Sequence, residues 1–237
     1  MEKIGVVIPA YNETSTIDTV LTGLPKTLKV RGMTYQFVVI VVNDGSRDTT
    51  AALVAKHAGV VLINHLVNSG AGAATRTGLR YARETGYKYA ITMDADGQHD
   101  PRDMQRVATE LITSGQDMII GSRLLNHRGM PWYRVLGNRG LTFITLLLFG
   151  VKVSDSQSGL KGLSHKALQR ITFRSDRYAF CSEMIWRAHQ EHLTIKEVPI
   201  QAIYTEYSLG KGQGNLGAGV TLVGQLVKHR IMEFIHG

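Results

Sequence analysis

Residues 89–101 read YAITMDADGQHDP, an apolar run followed by an acidic turn and a proline that suits the start of a helix. Three earlier apolar runs, over residues 4–8, 37–42 and 60–63, are each followed by turn residues and a helical pattern. Short runs of branched side chains are typical of buried strands in a parallel sheet. Four such units in succession predict an α/β domain with a mostly parallel sheet and helices on both faces.

The second half of the sequence carries weaker signals. Residues 118–120 and 198–200 are predicted strands, and residues 139–149 are a predicted apolar helix that is too short to cross a bilayer. We predict one domain over residues 1–215. The apolar spacing within residues 216–237 predicts a C-terminal amphipathic helix that lies on a membrane or joins a second subunit.

The composition and the net charge of the chain limit the classes of protein to which it can belong. Of the 237 residues, 43% are hydrophobic and 19% are charged, so the chain can form a core. The formal net charge is +8, and residues 118–154 contain basic side chains but no Asp or Glu. A basic surface attracts phosphorylated molecules or anionic lipids, unless it is only a solvated face. No recognition helix or aromatic stacking motif accompanies the charge, so we expect no nucleic-acid partner.

The cysteine content and the first residues bear on the compartment. The single cysteine, Cys181, excludes an intramolecular disulfide framework. Residues 1–15 have neither the basic segment nor the apolar segment of a signal peptide. We therefore expect a cytoplasmic protein, bound peripherally to the inner face of the membrane through its apolar and basic segments.

The acidic turn after the fourth predicted strand is the strongest candidate site. Asp94 and Asp96 are two residues apart at the end of a buried strand, where both carboxylates can face one direction. Mg²⁺ and Mn²⁺ prefer oxygen ligands, and Gln98 offers a third oxygen. An Asp-x-Asp pair also occurs by chance. Its position at the carboxyl end of a strand, where open sheets bind ligands, favours a cation site over chance.

Other polar residues follow the first two strands, so we expect them at the same edge of the sheet. Pro9, Tyr11 and Glu13 follow the first strand, and Asp44 follows the second. Asp44 either accepts a hydrogen bond from a nucleobase or caps a turn. The glycine-rich segment 68–72 either cradles phosphate or forms a tight turn, and it lacks the P-loop pattern. No Gly-x-Gly-x-x-Gly follows the first strand, which argues against a nicotinamide dehydrogenase.

Six sequence blocks occur together in an order that resembles family 2 glycosyltransferases. They are VVIPAYNE (6–13), VVNDGSRDTT (41–50), NSGAGAATRTGLRYA (68–82), TMDADGQHDP (92–101), IIGSR (119–123) and SDSQSGLKG (154–162). The resemblance is closest to polyprenyl (dolichyl) phosphate sugar synthases. It implies a GT-A fold, a nucleotide-diphosphate sugar donor, a divalent cation (Mg²⁺ or Mn²⁺) and inversion at the anomeric carbon.

The resemblance also assigns roles to individual residues. The nucleotide sugar would be bound by Pro9, Tyr11, Glu13, Val42, Asp44, Asp94, Ala95 and Asp96. The metal would be held by Asp94, Asp96 and Gln98. The catalytic residues would be Arg123, Asp155 and Lys211, and the acceptor side would be formed by Gln157, Ser158 and Gly159. Two features depart from many relatives: the chain has no transmembrane helices at its end, and residues 204–213 read YTEYSLGKGQ instead of the usual basic pattern.

The implied reaction leaves three functions open. The first is sugar transfer to a polyprenyl phosphate, whose anionic oxygen needs no general base. The second is transfer to a glycan or other hydroxyl, for which Asp155 is the candidate base. The third is a noncatalytic module that binds a nucleotide sugar or nucleic acid. We favour the first function, sugar transfer to a polyprenyl phosphate, with a uridine donor preferred over a guanosine donor. We also expect a membrane surface as a partner, and we leave open whether the protein forms a homo-oligomer.

Overall fold

The computed structural model describes residues 1–204, 221 and 223–227. The strands are β1 Glu2–Ala10, β2 Thr27–Val30, β3 Met33–Asn43, β4 Val61–Asn64, β5 Tyr89–Thr92, β6 Met118–Ser122, β7 Lys161–Ser164 and β8 Ile195–Pro199. The helices are α1 Ile17–Gly23, α2 Thr50–Val54, α3 Ala71–Glu84, α4 Pro101–Ser114, α5 Trp132–Phe149, α6 His165–Arg170 and α7 Phe180–Gln190.

The described strands form one mixed sheet in the order β2-β3-β1-β5-β7-β6-β8, and β4 also pairs with β3. The pairs β1–β3, β1–β5, β3–β4 and β6–β8 are parallel, which confirms the prediction of a mostly parallel sheet. Two strands that the sequence did not predict, β2 and β7, run antiparallel to their neighbours. Because β7 is reversed between β5 and β6, the loop before it lies at the carboxyl ends of both.

Hydrophobic side chains fill both faces of the sheet, as predicted. Along β1, Val7 packs on one face with residues of α3, α6 and α7, whereas Val6 and Ile8 pack on the other face with residues of α1 and α4. This alternation follows from the two-residue period of a strand. Burial on both faces explains why β1 reads as a continuous apolar run.

The helical predictions for the second half are partly confirmed. The apolar helix predicted over residues 139–149 is the C-terminal part of α5, which begins at Trp132. Of the segment 216–237, the structure describes only residues 221 and 223–227, which are helical, with Leu226 fully buried. The amphipathic helix therefore stays a prediction, and Lys211 lies outside the described residues. Among the described helices, none is both long and apolar enough to cross a membrane.

Candidate active site

The acidic turn follows β5 and rests on the loop before β7. Thr92, at the end of β5, donates a hydrogen bond of 2.7 Å from its Oγ1 to the carbonyl of Gly159. The Asp94 carboxylate lies against Gly159, where any Cβ would overlap both of its oxygens. The Asp94 side chain is nevertheless 45% exposed. Gly159 therefore makes room for a carboxylate that still faces the open edge of the sheet.

Asp96 and Gln98 are joined within the same turn. The backbone N–H of Gln98 donates to Asp96 Oδ1 at 3.0 Å, and its side-chain amide donates to Asp96 Oδ2 at 2.6 Å. Burial and the negative charge of Asp94 raise the pKa of Asp96. Two carboxylates that repel each other at one edge, next to an amide oxygen, are a donor set that suits a hard divalent cation.

His99 contacts the acidic pair, although the sequence analysis assigned it no role. Its Nε2 lies 3.2 Å from Asp94 Oδ2, and its side chain is 2% exposed. Burial opposes ionisation of Asp94, but His99, Arg123 and Lys161 outweigh it and lower the pKa of Asp94. The anionic form of Asp94 is thus favoured by side chains from three segments of the chain. In the sequence, this contact was signalled by the position of His99 in the block DADGQH, five residues after Asp94.

Arg123 and Asp155 form a buried ion pair beside this turn. Asp155 Oδ2 accepts from Arg123 Nε at 2.8 Å, and Oδ1 accepts from Nη2 at 2.9 Å. Asp155 is fully buried and the Arg123 side chain is 15% exposed. Burial opposes ionisation of Asp155, but Arg123 lowers its pKa below the usual range. A base with both oxygens engaged and no solvent contact is poorly suited to abstract a proton, so Asp155 fits a positioning role for Arg123.

The loop over residues 155–160 joins the ion pair to the acidic turn. Gln157, Ser158 and Gly159, predicted on the acceptor side, lie in this loop between Asp155 and β7. Lys161, at the start of β7, is 1% exposed and donates a hydrogen bond to the Ser158 carbonyl. The sequence analysis missed Lys161 because a lysine seldom occupies a sheet interior. Its ammonium group supports the turn on which Asp94 rests.

The residues predicted to surround the nucleoside meet at the same edge. Pro9 and Val42 are partners in the β1–β3 ladder. Tyr11 is 40% exposed beyond β1, and Glu13 is 9% exposed at the start of α1. Val42 and Ala95, however, are buried in the hydrophobic core. Their side chains give no support to a nucleoside contact, which for both residues stays a prediction.

Asp44 caps the glycine-rich turn, which is the second of the two roles considered for it. Its carboxylate accepts from the backbone N–H of Ser69 at 3.0 Å and of Gly70 at 2.7 Å, and it contacts His65 Nδ1 at 2.8 Å. Its side chain is 2% exposed. These bonds use most of the acceptor capacity of the carboxylate, so its contact with a nucleobase has no support in the geometry.

The glycine-rich segment 68–72 forms a tight turn, and the geometry gives no support to the alternative of a phosphate cradle. The N–H groups at the start of α3, those of Gly72 and Ala73, donate to the Asp176 carbonyl at 2.7 and 3.1 Å. A Cβ on Gly70 or Gly72 would overlap the backbone of Ser175 or Asp176. These amides are therefore already satisfied by protein oxygens, as are those that bond Asp44.

The sequence of this chain matches the model of a known protein family. A family model described as Glycosyl transferase family 2 matches residues 5–172. The chain belongs to glycosyl transferase family 2. It is accordingly a glycosyltransferase, and the matched region contains the acidic turn, Arg123 and the 155–160 loop.

Relatives of this family 2 glycosyltransferase include polyprenyl phosphate sugar synthases. It is 39% identical over 230 residues to the UDP-N-acetylglucosamine–dolichyl-phosphate N-acetylglucosaminyltransferase of Methanococcus voltae, covering 88% of this chain and 89% of the relative. It is 30% identical over 216 residues to the polyprenol monophosphomannose synthase of Mycolicibacterium smegmatis, covering 86% of this chain and 78% of the relative. The resemblance stated from the sequence blocks is thus confirmed.

A solved structure confirms the GT-A type of fold. The glucosyl-3-phosphoglycerate synthase of Mycobacterium tuberculosis, crystallised with Mn²⁺, uridine diphosphate and glucosyl-3-phosphoglycerate, superimposes with a TM-score of 0.71. The match covers 97% of this chain and 80% of that one, with 19% sequence identity. At 19% identity, the similarity establishes the fold of the glycosyltransferase but does not identify its ligands.

The close packing of Gly159 on Asp94 gives a first testable prediction. Gly159→Ala places a Cβ on the Asp94 carboxylate and should displace it. We expect turnover to fall by about a hundredfold, because a displacement of about 1 Å at a reacting site can have an effect of that size. Gly137→Ala, where a Cβ meets open space on α5, is the matched control. Initial rates of sugar transfer test this, and wild-type turnover in Gly159→Ala would contradict the packing argument.

Proposed function

We propose that this enzyme transfers a sugar, with inversion, from a nucleoside diphosphate sugar to a polyprenyl phosphate. One observation carries the proposal: the reversed strand β7 brings the Asp94/Asp96 carboxylates and the buried Arg123–Asp155 pair to one edge of the sheet. An edge with adjacent anionic and cationic groups suits a cation-bound diphosphate next to a second phosphate. The names of the two relatives above, a dolichyl-phosphate N-acetylglucosaminyltransferase and a polyprenol monophosphomannose synthase, support the same acceptor class.

Asp94, Asp96 and Gln98 are the residues that would hold Mg²⁺ or Mn²⁺. Their oxygens match the ligand preference of these ions, and the repulsion that raises the pKa of Asp96 is relieved by a bound cation. When bound, the divalent cation would neutralise the charge that develops on the leaving diphosphate. We propose a uridine diphosphate sugar as donor, supported by the name of the Methanococcus relative.

The chain's own residues would orient both substrates. Arg123 is held rigidly by Asp155, so its guanidinium offsets repulsion between the two anionic substrates. The acceptor oxygen of a lipid phosphate is ionised near neutral pH and needs no base. This suits a site whose candidate base, Asp155, is buried and paired. Lys211, outside the described residues, remains our proposal for a second positively charged side chain at the diphosphate.

A direct assay tests the proposed function. The enzyme is incubated with Mn²⁺, UDP- or GDP-sugars and polyprenyl phosphate, and both nucleoside diphosphate release and lipid-linked sugar are measured. We expect release that depends on the metal and on the lipid phosphate. Release that ignores lipid phosphate but responds to a glycan would favour the hydroxyl acceptor. The absence of any metal-dependent turnover would favour a noncatalytic module.

We further propose that the outer face of α5 binds the membrane that contains the acceptor. Trp132, Leu136, Phe143 and Leu147 lie on one stripe of the helix and are 58–77% exposed. Arg128 and Arg139 are exposed nearby, in the acid-free stretch. Apolar side chains flanked by arginines suit an interfacial helix on an anionic lipid surface.

The double variant Leu136→Gln/Phe143→Gln tests this surface. We expect its binding to anionic liposomes to fall by about tenfold or more, because two exposed apolar anchors are lost. Leu66→Gln is the control, since Leu66 is fully exposed on a loop after β4. Flotation at low and high salt gives the measurement. Equal flotation of the double variant and the wild type would remove α5 from the membrane surface.

A further inference from the structure

The inner face of α5 carries buried hydroxyl groups, opposite its apolar stripe. Thr142 is 9% exposed and Thr145 is fully buried. An apolar side chain of the same shape would fill either position equally well, and branched residues do not favour a helix. Thr145 Oγ1 donates to the Leu141 carbonyl of α5 at 2.9 Å, and both hydroxyls also contact groups outside the helix.

These hydroxyls join a network that reaches the acceptor-side loop. Thr145 Oγ1 lies 3.1 Å from Ser156 Oγ and 3.0 Å from Ser182 Oγ, which belongs to α7. The side-chain amide of Gln157 donates to the same two hydroxyls, at 2.9 and 2.8 Å. Thr142 Oγ1 accepts from the backbone N–H of Ser156 at 3.1 Å. The side-chain amide of Gln157 thus donates to Ser156 and Ser182, the two hydroxyls that Thr145 contacts.

The network continues to Arg123. The backbone N–H of Gln157 donates to Asp155 Oδ1 at 3.2 Å, and that oxygen also accepts from Arg123 Nη2. The loop that contains Gln157 is therefore fixed from two sides, by Arg123 through Asp155 and by α5 and α7 through hydroxyls. Loss of one hydroxyl leaves its partners unsatisfied in a buried place, where the remaining bonds must rearrange.

We propose that Thr145 is a positioning residue for the acceptor, acting through Ser156 and Ser182 on the orientation of Gln157. The inference rests on the proposed function, because it concerns the lipid phosphate side of that site. Thr145 makes no described contact with the acidic turn after β5. Its hydroxyl therefore affects binding of the acceptor phosphate and leaves binding of the nucleotide unchanged.

The test separates acceptor effects from general damage. Thr145→Val removes the hydroxyl and keeps the shape, whereas Thr145→Ser keeps the hydroxyl. We expect Thr145→Val to raise the KM for polyprenyl phosphate by about tenfold, as befits one lost positioning bond. The KM for the donor and the affinity for UDP with Mn²⁺ should stay close to wild type, and the Tm should fall by only a few degrees because of the unsatisfied partners. Thr145→Ser should restore the acceptor KM. Thr113→Val, whose lost hydroxyl bonds only the Thr109 and Glu110 carbonyls within α4, is the control.

Each outcome has a distinct meaning. A Thr145→Val enzyme with an unchanged acceptor KM overturns the inference, as does one that loses donor and acceptor affinity in parallel with its Tm. Equal losses in the Val and Ser variants assign Thr145 a packing role and also overturn it. A wild-type enzyme that makes no product from lipid phosphate refutes the proposed function, and the acceptor role of Thr145 with it.

Discussion

Asp94→Asn and Asp96→Asn should each reduce sugar transfer by about a thousandfold or more, because each removes a charged oxygen from the proposed cation site. The substitution keeps the size of the side chain and removes only its charge. Asp94 is already anionic in the fold, since His99, Arg123 and Lys161 lower its pKa against the effect of burial. Either variant leaves one carboxylate where the proposed cation site has two, and the Asn side chain supplies only a neutral oxygen in its place.

The matched control lies in the same turn. Asp100 caps α4 by accepting from the Arg102 N–H at 2.8 Å, and Asp100→Asn keeps a capping side chain. We expect this variant to retain turnover. Product formation and calorimetric binding of UDP with Mn²⁺ are measured for all three variants. Metal-dependent turnover within about tenfold of wild type in both Asp94→Asn and Asp96→Asn would falsify the cation site.

Asp155→Ala should lower the free energy of unfolding by about 3–5 kcal/mol, since it leaves the buried guanidinium of Arg123 without its partner. The same variant should lose turnover, because Arg123 is no longer held. Replacing both residues, as Arg123→Met/Asp155→Leu, removes both charges and should restore most of the stability. It should not restore sugar transfer. This contrast separates the structural effect of the pair from its effect on the reaction.

An exposed pair with the same chemistry provides the control. Arg102 pairs with Asp100 at 2.7 Å, but the Arg102 side chain is 85% exposed. Arg102→Met should therefore leave the urea midpoint of unfolding close to that of the wild type. Urea denaturation measures all of these variants. Equal effects of Asp155→Ala and Arg102→Met, or full turnover in the double variant, would contradict the role given to the buried pair.

Residues at the ends of parallel strands were predictable from the sequence. Continuous apolar runs mark buried strands, and parallel strands place their carboxyl ends at one edge. Pro9, Tyr11, Asp94 and Asp96 therefore lie at that edge as expected. Helices on both faces were predictable for the same reason, because each crossover between parallel strands needs one.

Three features of the site depend on long-range contacts, so the sequence did not decide them. Strand β7 reads KGLS, which has no apolar run, and its first residue is a buried lysine. Asp44 could cap a turn or bind a base, and only the position of residues 69–70 decides for the cap. In the segment 68–72, the N–H of Gly72 donates to the Asp176 carbonyl, about a hundred residues away in sequence.

The sequence by itself determined the fold class and the acidic turn, because both depend on the order of residues within short segments. The tertiary structure alone decided what the turn contacts. Reversal of β7 places Gly159 beneath Asp94 and Asp155 against Arg123, so the acidic turn and the buried ion pair lie side by side. The physical reason is that strand pairing is set by contacts between distant segments, whose energies no local pattern records.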